Sequence, residues 1–202
     1  MLKKANTKFH FSKIEVHDLI KAWIILSLAF TIYFLGRFEL SYSFLIGLSV
    51  SFITVGTAFV FHELGHKLLA QHYGCFAEFR AFNGMLWFAL LMSFFGIIFA
   101  APGAVMINGP IGPKRNGKIS ALGPGTNIIL AIIFLMMIIF FDNSISNTIG
   151  YFGFMVNSLL ALFNMLPLPM FDGKKIWAWN KVVYIIMMVI SIVLMIVQTQ
   201  IS

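Results

Sequence analysis

Cysteine is almost missing from this chain: Cys75 is the only one. That excludes an intrachain disulfide framework and any cysteine-based zinc site. Charge is scarce as well. Asp, Glu, Lys and Arg make up 10% of the 202 residues, and only 7 of them are acidic. No low-complexity tract, long linker or convincing internal repeat breaks the sequence, so a separate soluble domain is not expected. Residues 1–202 read as a single membrane-embedded domain. What fills the chain instead is apolar: 60% hydrophobic and 16% aromatic residues, with a mean hydropathy of +0.93. Apolar runs near the ~20 residues needed to cross a bilayer recur along it. The fold class expected is therefore an α-helical polytopic membrane protein. The net charge of +7 reads as basic loops holding one face in the cytoplasm, not as a nucleic-acid surface.

Spans are expected at about 20–36, 43–72, 120–141, 149–168 and 182–200. A strand-like stretch, "GCFAEFRAF", follows the second span and ends before Asn83-Gly84. Residues 85–101 are apolar and decide the topology. If they cross, the 14 basic residues divide evenly between the two sides, seven against seven. If they dip in and return, with Gly96 as the turning point, every basic residue except Arg37 falls on one side. The charge bias favours the second arrangement, with the N-terminus cytoplasmic and the C-terminus outside. The basic N-terminus, with Lys3, Lys4, Lys8 and Lys13, is not expected to be a cleavable signal, because no small-residue cleavage site follows.

Polarity inside the second span needs a reason. His62-Glu63-Leu64-Gly65-His66 fits HExxH. On a helix, positions four apart differ by about 40° in direction and ~6 Å in rise, so both imidazoles share a face and can hold one ion. Glu63 lies beside that face, placed to take a proton from water activated there. The alternative, two interior histidines bonded to neighbouring helices, leaves a costly intramembrane glutamate without a use. A catalytic zinc needs a third protein ligand. His72 has the spacing of the HExxHxxGxxH pattern, but Leu69 stands where that pattern turns on glycine. A continuing helix carries His72 away from the ion. Of the remaining acids, Glu15 and Asp18 precede the first span, Glu39 and Asp142 lie at the outer side, and Glu78 is expected at the surface beside Arg80. Asp172 remains, after a span interrupted by Pro167 and Pro169, where the helix can unwind into a pocket. Asp172 is the favoured third ligand and Glu78 the weaker rival. The dipping topology also brings Asp172 to the side that holds HELGH.

HELGH, then "GPGTN" (123–127), then "NMLPLPMFDG" (164–173), in that order, resembles the site-2 protease family of intramembrane zinc metalloproteases, as a compact prokaryotic-type member without PDZ or CBS domains. The three motifs span a core from about 55 to 175, within a catalytic region of about 43–181. The family commonly has Leu where Phe171 stands. The resemblance implies one zinc ion held by His62, His66 and Asp172, with Glu63 as general base. It also implies that Asn164 contacts substrate or oxyanion, and that "PGAVMI" (102–107) is a membrane-associated strand able to pair with an extended substrate. The implied reaction is hydrolysis of peptide bonds in or near transmembrane segments, as in regulated intramembrane proteolysis.

For Asn164 a helix–helix hydrogen bond is an equal alternative, and for Asn127 packing or loop fixation is favoured over chemistry. The 102–107 stretch also reads as an ordinary surface hairpin. A transporter or metal channel using the buried histidines would need a through-route and repeated motifs. The prenyl-protein type of membrane HExxH protease needs a downstream intramembrane glutamate, and no such Glu follows Glu63. The expected partners are single-span membrane proteins and the lipid bilayer; the oligomeric state is open.

Overall fold

A computed structural model describes residues 9–36, 38–98 and 102–201. Arg37, Lys3, Lys4, Lys8 and the last residues of the 85–101 stretch lie outside the described residues. Eight α-helices and two strands are described: α1 (Lys13–Leu35), α2 (Tyr42–Ser51), α3 (Thr57–His72), β1 (Phe76–Ala81), α4 (Asn83–Ser93), β2 (Gly103–Asn108), α5 (Pro113–Phe140), α6 (Ser144–Asn164), α7 (Asp172–Trp179) and α8 (Lys181–Ile201). A π-helical turn, Phe52–Gly56, joins α2 to α3. Among the described residues, five helical segments are long and apolar enough to cross a membrane: α1, the continuous Tyr42–His72 segment, α5, α6 and α8. The number matches the sequence reading; the boundaries move. α1 begins seven residues early because Ser12 caps it, accepting from the Glu15 amide. α6 stops at Asn164, ahead of Pro167, where proline disfavours continuing the helix.

Among its described residues, 85–98, the apolar stretch holds no helix long enough to cross. Its helix, α4, has 11 residues, about 16 Å at helical rise, against a hydrocarbon core of ~30 Å. Gly96 turns the chain with φ 70, a left-handed conformation that glycine adopts without strain. The segment leaves and returns at one point, where the Phe82 amide donates to the Pro102 carbonyl at 2.9 Å. α4 packs against α1, and Leu86 is buried with Leu19, Ala22 and Leu26.

β1 and β2 pair antiparallel, with Phe79 opposite Val105. Their outer edges meet very different surroundings. On the β1 edge, the Phe79 amide donates to Glu15 Oε1 at 2.9 Å and the Ala81 amide to Asp18 Oδ2 at 3.1 Å. Two carboxylates of α1 thus stand where a third strand would pair, which blocks that edge. Both acids lie inside α1 and are buried, so they do not precede the span as expected. Glu15 also forms an ion pair with Lys67, and both side chains are fully buried. Lys67 further lies 3.9 Å from the centre of the Phe11 ring, a cation–π contact. Burial of Lys67 is tolerable only because its charge is matched there. The β2 edge faces the interior of the bundle, toward Glu63.

These contacts gather the N-terminus of α1, the C-terminal end of α3, the sheet, the N-terminus of α5 and helix α7 at one end of the bundle. The described basic residues lie on those elements and on the first residue of α8. The charge grouping read from the sequence is therefore a grouping in space.

Candidate metal centre and active site

α3 presents His62 and His66 one turn apart, and both are buried. Opposite them, the chain leaves α6, runs through Pro167 and Pro169, and enters α7 at Asp172. His66 Nε2 lies 3.0 Å from Asp172 Oδ2, His62 Nε2 lies 3.5 Å from the same oxygen, and the two Nε2 atoms are 3.1 Å apart. A tetrahedral ion with ligand bonds of ~2.0–2.1 Å separates its donor atoms by roughly 3.3 Å. The three atoms therefore outline one face of such an ion. Among the described residues this is the grouping of His, Cys, Asp and Glu able to hold a metal.

The donor chemistry fits as well. His66 Nδ1 faces the Ile119 carbonyl at 2.9 Å, and that oxygen can only accept. The proton of His66 is thus on Nδ1, and Nε2 carries a lone pair. His62 Nδ1 faces Asn127 Oδ1 at 2.5 Å, with the same consequence. Two imidazole lone pairs and a carboxylate oxygen converge on one point, an arrangement that a divalent cation neutralises. Lys175 Nζ, 3.6 Å from Asp172 Oδ1, adds a positive charge on the carboxylate's other oxygen.

"GPGTN" lies inside α5, ten residues past its start, and not at the start of a span. Three of its residues lie at the centre's supports. Pro124 has no N–H, so the ladder of α5 lacks a bond there, close to the Ile119 carbonyl that takes His66. Gly123 lets α5 approach the imidazoles. Asn127, fully buried, orients His62. Asn127 thus has a bonding partner in His62 besides the packing or loop fixation expected of it. The helix carries the motif because the α3–α5 contact is where the histidines need partners.

Glu63 points to the other side of the centre, where its Oε2 accepts from the Val105 amide of β2 at 3.1 Å. A cavity of about 200 Å³ joins these groups, lined by His62, Glu63, His66 and Asp172, by 102–105 beside the β2 edge, and by Asn164. Asn164 Nδ2 donates to the Leu160 carbonyl, 2.9 Å away in its own helix. That bond uses one of its two amide hydrogens. His72 is the exposed last residue of α3 and is not among the grouped ligands. Glu78 is not among them either. It pairs with Arg80 as expected, but it is buried, not on the surface. Ala77, Glu78 and Phe79 are all buried, so both faces of β1 are covered there, and Arg80 matches the charge.

A protein of Methanocaldococcus jannaschii named "Putative zinc metalloprotease MJ0611" is 42% identical to this chain over 181 residues, covering 88% of the chain and 91% of that relative. This chain belongs to that zinc metalloprotease family. A second relative from the same organism, "Zinc metalloprotease MJ0392", is 28% identical over 129 residues, which is 63% of this chain but 33% of the relative. No family model and no solved structure matches the chain. Membership of the metalloprotease family agrees with zinc as the ion suited to the two imidazoles and one carboxylate. It also agrees with the chain's character as a multi-pass membrane metalloprotease.

Proposed function

We propose that this metalloprotease is of the site-2 type: an intramembrane endopeptidase that cleaves membrane-protein substrates in or near their transmembrane segments. The observation that carries the reading is the meeting of His62, His66, Asp172 and Glu63 inside a bundle of apolar helices, on a cavity that the β2 edge borders. In this reading His62, His66 and Asp172 hold one zinc ion. When bound, zinc supplies Lewis acidity, polarising a carbonyl and making water acidic enough to ionise near neutral pH.

The chain's own groups do the rest. Glu63 accepts the proton of the attacking water and returns it to the leaving amine. The second amide hydrogen of Asn164 is available to a developing oxyanion. An extended substrate adds to the β2 edge, where Gly103, Val105 and Ile107 are the residues turned away from β1. The Val105 amide then passes from Glu63 to a substrate carbonyl. A helical substrate has to unwind first, since its amides are otherwise used in its own hydrogen bonds.

Protein reconstituted in vesicles with a single-span substrate is expected to cut it at a bond inside or bordering the apolar segment, as mass spectrometry of the products reads directly. A chelator stops the cut and added zinc restores it. Cutting confined to soluble loops far from the membrane would overturn the intramembrane reading.

The orientation follows from the basic end of the bundle. We place it in the cytoplasm, in the cell membrane, with the N-terminus inside. Cys75 is buried, so single engineered cysteines report cleanly. Lys114→Cys is expected to label only from the cytoplasmic side, and Ser144→Cys only from outside. The reverse pattern would invert the protein.

A further inference from the structure

Behind His62, three hydrogen bonds run in series through buried side chains, and their directions can all be assigned. Asn157 Nδ2 donates to the Gly153 carbonyl at 2.8 Å. That oxygen can only accept, so the Asn157 amide nitrogen must face it and Asn157 Oδ1 must face the other way. Asn157 Oδ1 meets Asn127 Nδ2 at 3.0 Å, and the same nitrogen also donates to the Ala58 carbonyl at 3.1 Å. Both hydrogens of Asn127 are then committed, and its Oδ1 is left for His62 Nδ1. An acceptor at that position requires the imidazole proton on Nδ1, which frees the Nε2 lone pair. Neither asparagine has any exposed surface, so water cannot substitute for a lost partner.

We infer that Asn157, a residue of α6 outside every motif of the chain, is a positioning residue for the metal centre. By taking one hydrogen of Asn127, it fixes, together with the Ala58 carbonyl, the orientation of that amide and through it the tautomer of His62. It thereby sets metal affinity from two hydrogen bonds away. The inference rests on the reading of His62, His66 and Asp172 as the metal site. The plainer role for a buried asparagine pair between α5 and α6 is helix–helix adhesion. The two differ in what they affect: adhesion changes stability, whereas orientation changes the affinity of protein that is already folded.

The experiment measures zinc affinity of the full-length protein in detergent by competition with a chromophoric chelator. Thermal unfolding of the metal-free form is measured in parallel. Outer partners of metal-bound histidines are typically worth 10–100-fold in affinity. Asn157→Leu, which removes the acceptor, is expected to weaken zinc binding about tenfold, at the low end of that range because it acts at one remove. Asn157→Asp, carrying its proton toward the Gly153 carbonyl, keeps an acceptor toward Asn127 and is expected to hold affinity within about threefold. Nitrogen-15 shifts of His62 in the metal-free protein should show Nδ1 protonated in wild type and a tautomer mixture in Asn157→Leu. If Asn157→Leu does not fold, Asn157→Ser removes the same reach with less bulk and replaces it. A folded Leu or Ser variant with wild-type affinity overturns the inference, as do Asp and Leu variants equally weakened. Wild-type protein that binds zinc no better than His62→Ala would instead refute the metal site itself.

Discussion

Glu63→Gln is expected to lower substrate cleavage by at least ~10²–10⁴-fold, the usual worth of a positioned general base, while bound zinc stays at the wild-type level. The two halves of this result come from geometry. Glu63 is not among the three grouped ligand atoms; its Oε2 lies on the Val105 amide across the cavity. Glutamine has nearly the same shape, and its side-chain oxygen can still accept from Val105, so the fold and the β2 edge should survive. What it cannot do is take up a proton at that oxygen. Metal analysis beside a cleavage assay checks both halves. A variant that still cleaves at an appreciable rate would move the base elsewhere. A variant that loses zinc would make Glu63 a ligand, and the centre would need redrawing.

Some of this molecule could be read from the sequence because few residues were available for each role. Only seven acids occur in the chain, which leaves Asp172 as the favoured ligand, and its carboxylate lies 3.0 Å from His66 Nε2. Helical periodicity put His62 and His66 on one face, and Leu69 predicted that α3 would run on and carry His72 away. The charge bias anticipated the excursion that starts and ends beside the sheet. What stayed hidden depends on contacts between distant segments. In sequence, Glu15 and Asp18 read as acids ahead of a span. Only the fold shows them blocking the β1 edge, with Glu15 also neutralising Lys67. Asn157 carries no local signal at all, since its use depends on α6 lying against Asn127. A small residue such as Gly123 is equally silent in sequence, because its meaning is the atom that lies opposite it.

Gly123→Ala should cost the protein its metal although it replaces glycine by the best helix former. In an exposed helix that change gains about 0.8–1.0 kcal/mol. Here a Cβ would lie 2.4 Å from His66 Nε2 and Cε1 and 2.7 Å from His62 Nε2. Carbon contacts settle near ~3.5–4.0 Å, so something has to shift by about 1 Å. The rings cannot yield freely, because each is held through Nδ1, to Ile119 and to Asn127. Either the imidazoles turn off those partners or α5 moves away from α3. Both displace the donor atoms by more than the ~0.5 Å that a binding constellation tolerates. Zinc content of the purified variant is therefore expected to fall to background. Gly125 is the control two residues along the same helix. A Cβ there meets only the Met187 methyl group at 3.8 Å, an ordinary contact, so Gly125→Ala should keep its zinc and match or exceed the wild-type unfolding temperature. Zinc retained at the wild-type level in Gly123→Ala would mean that α3 and α5 can separate without cost to the centre, and the close helix contact would lose its role as the support of the two histidines.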